Sequence, residues 1–297
     1  MTLPTVVRDR AVASGETAWI DEFPALVRQL ESEWGFTTGR SYSGGSEAFV
    51  ADVTLTDCTL AVLKLLIPRD DGVARNEIAA LRIANGDGCV RLLRSDDQRL
   101  ALLLERLGPP LAESGRSQIE RRAILCAAAR RLWRPAPGSG LPTGSTKGRW
   151  LIDFMTARWE GLGRPCSERA LAYALACAER RTAAHDDARA VLVHGDIHEW
   201  NALQSEDGYR LIDPDGLLAE PEYDLGVIIR AETISGNEGD PRSTARALAH
   251  GTGLDATAIW EWAAAERLST ALVCHELDLQ PFAREVFASA ENAARLG

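Results

Sequence analysis

The sequence contains no run of about 18 uninterrupted apolar residues, the length that a membrane-spanning helix requires. Residues 1–20 also lack a basic segment followed by a continuous apolar stretch, so we expect no secretory signal. The six cysteines are scattered and form no CxxC pair, which predicts reduced thiols in a cytoplasmic protein and no disulfide or zinc framework. Lysine is scarce, because only Lys64 and Lys147 occur, and each is therefore of interest.

Acidic residues outnumber basic ones, which gives a formal net charge of -10 and a pI of about 5.1. An acidic surface repels phosphate groups, so neither nucleic acid nor an anionic membrane is expected as the main partner. A cationic small molecule suits this charge better, although the same charge serves solubility in many proteins. The length of 297 residues is sufficient for one large domain or two lobes.

The first third of the chain is rich in predicted strands and the remainder in predicted helices. Periodicity predicts helices over 21–34, 71–84, 119–133, 149–160 and 167–184, and over most of the chain beyond about 220. Segregated strands and helices are typical of an α+β fold with two lobes, and the composition changes near residues 105–110. Clefts between lobes are common ligand sites.

Lys64 lies in the apolar run "LAVLKLLI", which predicts a buried or half-buried strand. A buried ammonium group is costly unless it is paired, although a lysine that reaches solvent along the strand fits this run equally well. In the following helix, Val73, Glu77 and Leu81 share one face, which places a carboxylate in an apolar stripe. The simplest hypothesis is an ion pair between Lys64 and Glu77; the alternative is a glutamate on a solvated face.

The turn "SYSGGSE" joins two predicted strands, and its Gly44 and Gly45 permit a close approach of main-chain N–H groups to an anion. Most Gly-Gly turns serve only as hairpins, so this turn is informative only beside the strand that carries Lys64.

The segment "LVHGDIHEWNAL" allows two kinds of chemistry. His194, Asp196 and His198 alternate along an extended chain, as ligands of a metal-dependent hydrolase do. Alternatively, Asp196 accepts a proton from a substrate hydroxyl, while Asn201 and the aspartate of "LIDPDG", Asp213, hold Mg²⁺ through hard oxygen ligands.

"HGDIHEWN" followed by "LIDPDG" resembles the catalytic loop and metal-binding aspartate of the aminoglycoside phosphotransferases, which share the protein-kinase fold. The Ser/Gly turn, strand lysine, helix glutamate and hinge-like "LLLERLGPPL" occur in the same order upstream. "AWIDEFPALV", "LAVLKLLIPRDD" and "LIDPDGLLAEPEYDL" are most similar to the streptomycin 6-phosphotransferase and hydroxyurea phosphotransferase group. The histidine that such proteins usually carry before "PAP" is replaced here by Trp133.

This resemblance implies a nucleotide-binding lobe over 1–104, a hinge over 105–108 and a catalytic and substrate-binding lobe over 109–297. It also implies ATP and Mg²⁺ as cofactors and a small, cationic, hydroxylated substrate. The implied roles are catalysis for Asp196, magnesium binding for Asn201 and Asp213, phosphate contact for Gly44, Gly45, Ser46 and Lys64, support of Lys64 for Glu77, adenine contact through the main chain for Glu105 and Leu107, and support of the catalytic loop for His194 and Asp224.

The resemblance favours phosphorylation of streptomycin at its 6-hydroxyl. Alternatives are a kinase of an amino sugar, hydroxyurea or another metabolite, the metal-dependent hydrolase described above, and a kinase fold that binds a ligand without catalysis. Asp215, Glu276 and Asp278 are candidates to line the acceptor pocket, although an acidic residue on a helix more often faces solvent.

Overall fold

The computed structural model describes residues 2–45, 47–69, 71–234 and 240–296, and it has a sheet lobe followed by a helical lobe. Two helices precede the sheet, α1 (Thr5–Ala13) and α2 (Thr17–Trp34). The sequence did not predict α1, because Val7 and Ala11 are the only residues that this helix buries and they give little periodic signal. Helix α2 begins four residues before its predicted start.

Five antiparallel strands form the sheet in the spatial order β1-β2-β3-β5-β4. The strands are β1 (Phe36–Ser41), β2 (Ala48–Leu55), β3 (Leu60–Leu66), β4 (Leu92–Asp96) and β5 (Ala101–Glu105), with helix α3 (Val73–Ala84) between β3 and β4. Successive side chains of a strand point to opposite faces. Leu63 and Leu65 therefore pack in the core beside α1 and α2, whereas Lys64 points to the opposite face and reaches α3.

The helical lobe is built around α9, a long helix whose residues are mostly buried. Its helices are α4 (Gln118–Leu132), α5 (Gly144–Gly161), α6 (Glu168–Ala183), α7 (Glu222–Ile234), α8 (Pro241–Thr252), α9 (Ala256–Glu276) and α10 (Phe282–Leu296). Helix α7 approaches α9 closely at Gly226, where an added Cβ would lie 2.7 Å from the Cβ of Trp262. Only glycine permits that approach, which fixes the position of α7 and of the polar side chains that it carries.

Two short antiparallel pairs of strands lie between α6 and α7. Strand β6 (Val191–Val193) pairs with β9 (Leu217–Ala219), and β7 (Ala202–Ser205) forms the predicted hairpin with β8 (Gly208–Leu211). The predicted loop 134–148 ends earlier than expected. Helix α5 begins at Gly144, because the Thr143 hydroxyl caps it by accepting the main-chain N–H of Thr146.

The lobes meet just after β5. Strand β5 ends at Glu105, and the main-chain N–H of Gly108 already donates to the carbonyl of Gln204 in the helical lobe at 2.8 Å. We therefore keep residues 105–108 as the proposed hinge between 1–104 and 109–297. Within the part of the chain that the structure describes, no helix is both long and apolar enough to cross a membrane.

Candidate active site

Lys64 lies at the centre of an ionic cluster that joins the two lobes. Its Nζ donates to Glu77 Oε1 at 2.6 Å and to Asp213 Oδ1 at 2.9 Å. The side chains of Lys64 and Glu77 are 6% and 8% exposed, whereas that of Asp213 is 47% exposed. The predicted Lys64–Glu77 pair is therefore present, and the alternative of a solvated Glu77 is wrong.

Burial and neighbouring charges oppose each other in this cluster. Burial by itself would lower the pKa of Lys64, but the carboxylates of Asp213 and Glu77 outweigh it and raise that pKa above its ordinary value. Burial, assisted by the charge of Asp213, raises the pKa of Glu77 to about 7, although Lys64 opposes this shift. Lys64 consequently remains a cation at neutral pH, which a contact with polyphosphate requires.

Asp224 binds the start of the predicted catalytic loop, at His194 and Gly195, through hydrogen bonds. Its carboxylate is fully buried and accepts the main-chain N–H groups of His194 at 3.1 Å and Gly195 at 3.0 Å. It also accepts the indole N–H of Trp133 at 2.9 Å. This geometry supports the predicted bracing role of Asp224. Trp133, which the sequence left without a role, supplies the third hydrogen bond.

His194 is fully buried, and both nitrogens of its ring have partners inside the loop. Nδ1 accepts the main-chain N–H of Asp196 at 3.2 Å, so Nε2 carries the proton that it donates to the carbonyl of Ile212 at 2.9 Å. Burial lowers the pKa of His194, which keeps the ring neutral. The ring therefore has no lone pair left for a metal, and the hydrolase interpretation with His194, Asp196 and His198 as ligands is wrong.

Asp196 follows directly, and both of its carboxylate oxygens have partners. Oδ1 accepts from Arg230 at 2.6 Å, whereas Oδ2 lies 3.3 Å from both His198 Nε2 and Asn201 Nδ2. Burial by itself would raise the pKa of Asp196, but His198 and Arg230 outweigh it and hold that pKa well below its usual range. Asp196 is therefore an ionised hydrogen-bond acceptor, and the contacts of its Oδ2 are longer than the contact of its Oδ1 with Arg230.

The residues predicted to bind magnesium have oxygen atoms suited to that ion. Nδ2 of Asn201 donates to the main-chain oxygen of Asp196 at 3.1 Å, so its carbonyl oxygen Oδ1 is the amide atom available to a cation. Asp213 binds Lys64 through Oδ1, which leaves Oδ2 on a half-exposed carboxylate. Amide and carboxylate oxygens are ligands that Mg²⁺ prefers. Asn201 and Asp213 therefore fit a magnesium ion.

The other residues predicted to bind nucleotide lie in two parts of the chain, the Ser/Gly turn and the proposed hinge. Gly44 and Gly45 are exposed, and neither adopts a positive φ, so these two positions do not use the conformations that glycine alone adopts readily. Ser46 lies outside the described residues. The main-chain N–H of Glu105 donates to the carbonyl of Arg91 at 3.0 Å, so a contact of Glu105 with adenine must use its own carbonyl. Leu107 is partly buried at the proposed hinge.

A cavity of about 310 Å³ opens beside Asp196, between α4, the catalytic loop, α7 and α9. This volume lies at the lower end of the range of small-molecule sites. Arg121 and Arg122 of α4 and Glu232 of α7 line it, and so does Trp200, which is 58% exposed. The sequence did not indicate these residues, because nothing in an arginine-rich helix shows which arginines face a cavity.

The structure places none of the three acidic candidates for the acceptor pocket among the residues that line this cavity. Glu276 and Asp278 lie at the exposed C-terminal end of α9, outside the cavity, and Glu276 pairs there with Arg158. Both residues follow Thr270, the residue of α9 that lines the cavity, and lie too far along the chain to reach it. Asp215 lies close to the catalytic loop, because a Cβ on Gly195 would contact its side chain at 2.7 Å. Burial raises the pKa of Asp215 to about 6.

Comparison with known proteins identifies the family. The model of the aminoglycoside/hydroxyurea antibiotic resistance kinase family matches residues 34–276. The chain belongs to this family. It is 34% identical to streptomycin 6-kinase of Streptomyces glaucescens over 73% of this chain and 69% of that protein. It is 31% identical to hydroxyurea phosphotransferase of Kitasatospora aureofaciens over 70% of this chain and 61% of that protein.

The fold of this family member also matches solved structures of small-molecule kinases. Choline kinase LicA from Streptococcus pneumoniae aligns with a TM-score of 0.62 at 12% identity, over 93% of this chain and all of that chain. At this identity the match shows the kinase-like fold alone. Family membership makes the chain a phosphotransferase that acts on a hydroxyl group and implies ATP as the phosphoryl donor.

Proposed function

We propose that the chain transfers the γ-phosphoryl group of ATP to a hydroxyl of an aminoglycoside-type acceptor, with the 6-hydroxyl of streptomycin as the first candidate. The 34% identity to a streptomycin 6-kinase supports this choice of acceptor. The formal net charge of -10 also favours a cationic substrate, because an acidic protein attracts it before contact.

In this proposal, Lys64 holds the α- and β-phosphates of ATP, and Glu77 keeps the lysine in place. Lys64 lies in the central strand of the sheet and its pair with Glu77 of α3 is buried, so the ammonium group is positioned before the nucleotide arrives. Main-chain atoms of Gly44, Gly45 and Ser46 cover the phosphates. The carbonyl of Glu105 and the main chain of Leu107 contact adenine.

Asn201 and Asp213 would hold Mg²⁺, which when bound would neutralise charge on the phosphates. Asp213 also accepts a hydrogen bond from Lys64, so the residue proposed for the metal contacts the residue proposed for the phosphates.

Asp196 orients the acceptor hydroxyl through Oδ2. As the oxygen of the hydroxyl bonds to the γ-phosphorus and the bond to the leaving ADP oxygen breaks, the proton of the hydroxyl passes to Asp196. The low pKa of Asp196 makes it a weak base, so its main contribution is to position the nucleophile. Arg230 fixes the other carboxylate oxygen and thereby the direction in which Oδ2 points.

The observation that carries this proposal is the contact between Lys64 and Asp213, which are 149 residues apart. Lys64, Glu77 and Asp213 together form a charge cluster of a kind that phosphoryl transfer requires. The catalytic loop with Asp196 and Asn201 lies immediately before the hairpin that leads to Asp213.

The proposal is tested by a screen for ADP release with ATP and Mg²⁺ over streptomycin, other aminoglycosides, amino sugars, choline-like alcohols and hydroxyurea. We expect turnover with streptomycin or a close relative. The position of the phosphate is then read by NMR. A lack of turnover with every aminoglycoside would exclude the proposed acceptor and leave the family assignment intact.

Asp196→Asn separates catalysis from binding. We expect kcat to fall at least about a hundredfold with nucleotide affinity nearly unchanged, as for the loss of a positioned proton acceptor. Asp97→Asn is the matched control, because Asp97 is an exposed carboxylate that pairs with Arg82 on the sheet lobe. A near-normal kcat in Asp196→Asn contradicts the role of Asp196.

A smaller acceptor is the second candidate. The family description includes hydroxyurea kinases, and a cavity of about 310 Å³ also admits a small metabolite. Turnover of hydroxyurea or an amino sugar in the same screen, without turnover of streptomycin, would favour this alternative.

A further inference from the structure

Arginines already occupy three carboxylates at the acceptor cavity. The described residues that line it include three ion pairs with one arginine and one carboxylate each, so these six side chains contribute no net formal charge. The pairs are Arg230–Asp196 at 2.6 Å, Arg121–Glu199 at 2.8 Å and Arg122–Glu232 at 2.5 Å. The carboxylates that a cationic acceptor would contact are therefore already paired with arginines of the protein.

The Arg122–Glu232 pair has the geometry of a guanidinium on a carboxylate. Nε of Arg122 donates to Oε1 of Glu232 at 2.5 Å, and Nη2 donates to Oε2 at 2.6 Å. These two parallel bonds are specific to a planar guanidinium, since an ammonium group acts as a point charge and makes no such fork. Glu232 therefore presents both oxygens in a form suited to a guanidino group.

Neither of the two outer pairs is sealed in the protein. The side chains of Arg121 and Glu199 are 20% and 19% exposed, and those of Arg122 and Glu232 are 20% and 16% exposed. Because solvent reaches both pairs, an arginine that leaves its carboxylate can be hydrated, and the incoming guanidinium restores the charge partner that the carboxylate needs. Both arginines lie near the start of α4, from which their long side chains can turn towards solvent.

We propose that Glu199 and Glu232 are docking sites for guanidino substituents of the acceptor, and that Arg121 and Arg122 occupy these sites until the acceptor replaces them. The exchange conserves the hydrogen bonds of each carboxylate, because one guanidinium takes the place of another. Acceptors without such groups leave the arginines in place and find a cavity without net charge. The inner pair, Arg230–Asp196, stays closed and marks where the reacting hydroxyl lies.

This inference rests on the proposed function, because Asp196 defines the reacting end of the cavity. Streptomycin suits it chemically, since its cyclitol ring carries two guanidino groups beside the hydroxyls. Trp200 adds a half-exposed indole to the wall, which offers a flat apolar face to such a ring. Glu199 and Glu232 belong to the catalytic loop and α7, so two guanidino groups would engage two separate elements.

The test uses two variants for which the exchange predicts opposite effects. Calorimetry measures the binding of streptidine, the diguanidino cyclitol, and of streptamine, its diamino counterpart, to the full chain with Mg²⁺ and ADP. Arg122→Met removes the resident cation and should tighten streptidine binding about tenfold. Glu232→Gln removes the docking carboxylate and should weaken it about ten- to a hundredfold, as for the loss of a charged hydrogen-bond partner. Streptamine affinity should change less in both variants.

Arg131→Met is the matched control, because Arg131 lies on the same helix and pairs with Asp87 outside the cavity. It should leave streptidine affinity unchanged. Circular dichroism confirms that each variant is folded, and Glu199→Gln provides a second, independent docking variant if Glu232→Gln does not fold.

Effects of the same sign in Arg122→Met and Glu232→Gln would overturn the exchange and indicate a structural pair. Equal responses of streptidine and streptamine, or no streptidine binding to either the wild-type chain or Arg122→Met, would also overturn it. Because binding is measured without phosphoryl transfer, the expected pattern without turnover of streptomycin excludes only the proposed function. Turnover of streptomycin without that pattern excludes only the exchange.

Discussion

Replacement of Lys64 and Glu77 by methionine, singly and together, separates the stability of the buried pair from its function. Glu77→Met leaves the ammonium group of Lys64 with its hydrogen bond to Asp213 at 2.9 Å. Removal of one partner from a buried ion pair costs about 3–5 kcal/mol, and we expect about 3 kcal/mol because Asp213 still holds the lysine. Lys64→Met leaves a buried carboxylate and should cost a similar free energy of unfolding.

The double variant should regain most of this stability. Two methionines fill a similar volume without buried charge, and such replacements are often neutral or stabilising, so its free energy of unfolding should lie within about 1 kcal/mol of the wild-type value. With about 3 kcal/mol for each single variant and about 1 kcal/mol at most for the double variant, the coupling energy from the double-mutant cycle should be about 5 kcal/mol or more.

Activity should not recover with stability. Because Lys64 is proposed to hold the phosphates, the double variant should lose at least about a hundredfold in kcat for ADP release, the scale seen when a preorganised charge-stabilising donor is removed. Urea unfolding and ADP release are measured on the same preparations. A stable double variant with near-normal kcat and KM for ATP would refute the role of Lys64, and a double variant as unstable as the sum of both single variants would refute the coupling.

Three further predictions concern the catalytic loop. Trp133→Phe removes one hydrogen bond to the buried Asp224 carboxylate, so it should lower the free energy of unfolding by about 1.5–3 kcal/mol and also lower kcat. The control Trp159→Phe removes a hydrogen bond to the carbonyl of Cys166 and should lower stability alone. Equal losses of kcat in the two variants would contradict the prediction. The depressed pKa of His194 means that the folded chain binds fewer protons than the unfolded chain below about pH 6.5. His194 therefore contributes a fall in the free energy of unfolding towards acid of up to about 1.4 kcal/mol per pH unit. Glu77 and Asp215, whose pKa values are raised to about 7 and about 6, contribute a slope of the opposite sign. The His194 contribution is therefore the difference between wild type and His194→Asn in urea titrations from about pH 7.5 to 5.5, and the wild type should lose stability relative to the variant as the pH falls. Removal of Mg²⁺ with EDTA should abolish ADP release and restoration of Mg²⁺ should recover it; persistent turnover in EDTA argues against metal binding by Asn201 and Asp213.

Periodicity located the main elements of the fold because the helices and strands are amphipathic. Glu77 stood out as a carboxylate in an apolar helix stripe, and Lys64 as a cation in an apolar strand, so their pairing followed from elements adjacent in the chain. Helix α1 gave no such signal. The start of α5 depended on the cap by Thr143, which a segment rich in Pro, Gly and Ser concealed.

The acceptor site was the least predictable part. Glu276 and Asp278 were chosen for their charge, but the structure places both at the exposed end of α9. A carboxylate on a helix gives no sign of its distance from a catalytic loop far away in the chain. The direction that it faces depends on how the helices pack, here on the close approach of α7 to α9 at Gly226.

The sequence by itself determined the family, the two-lobed architecture and the candidate phosphoryl-transfer residues, because these depend on local periodicity and on short motifs such as "HGDIHEWN". Only the tertiary structure decided which arginines line the cavity beside Asp196. The chain has 33 Lys and Arg residues, of which two are lysines, and nothing local distinguishes Arg122 or Arg230 from the others. Their partners are 110 and 34 residues away, so only packing of the helices against the catalytic loop brings these charges together.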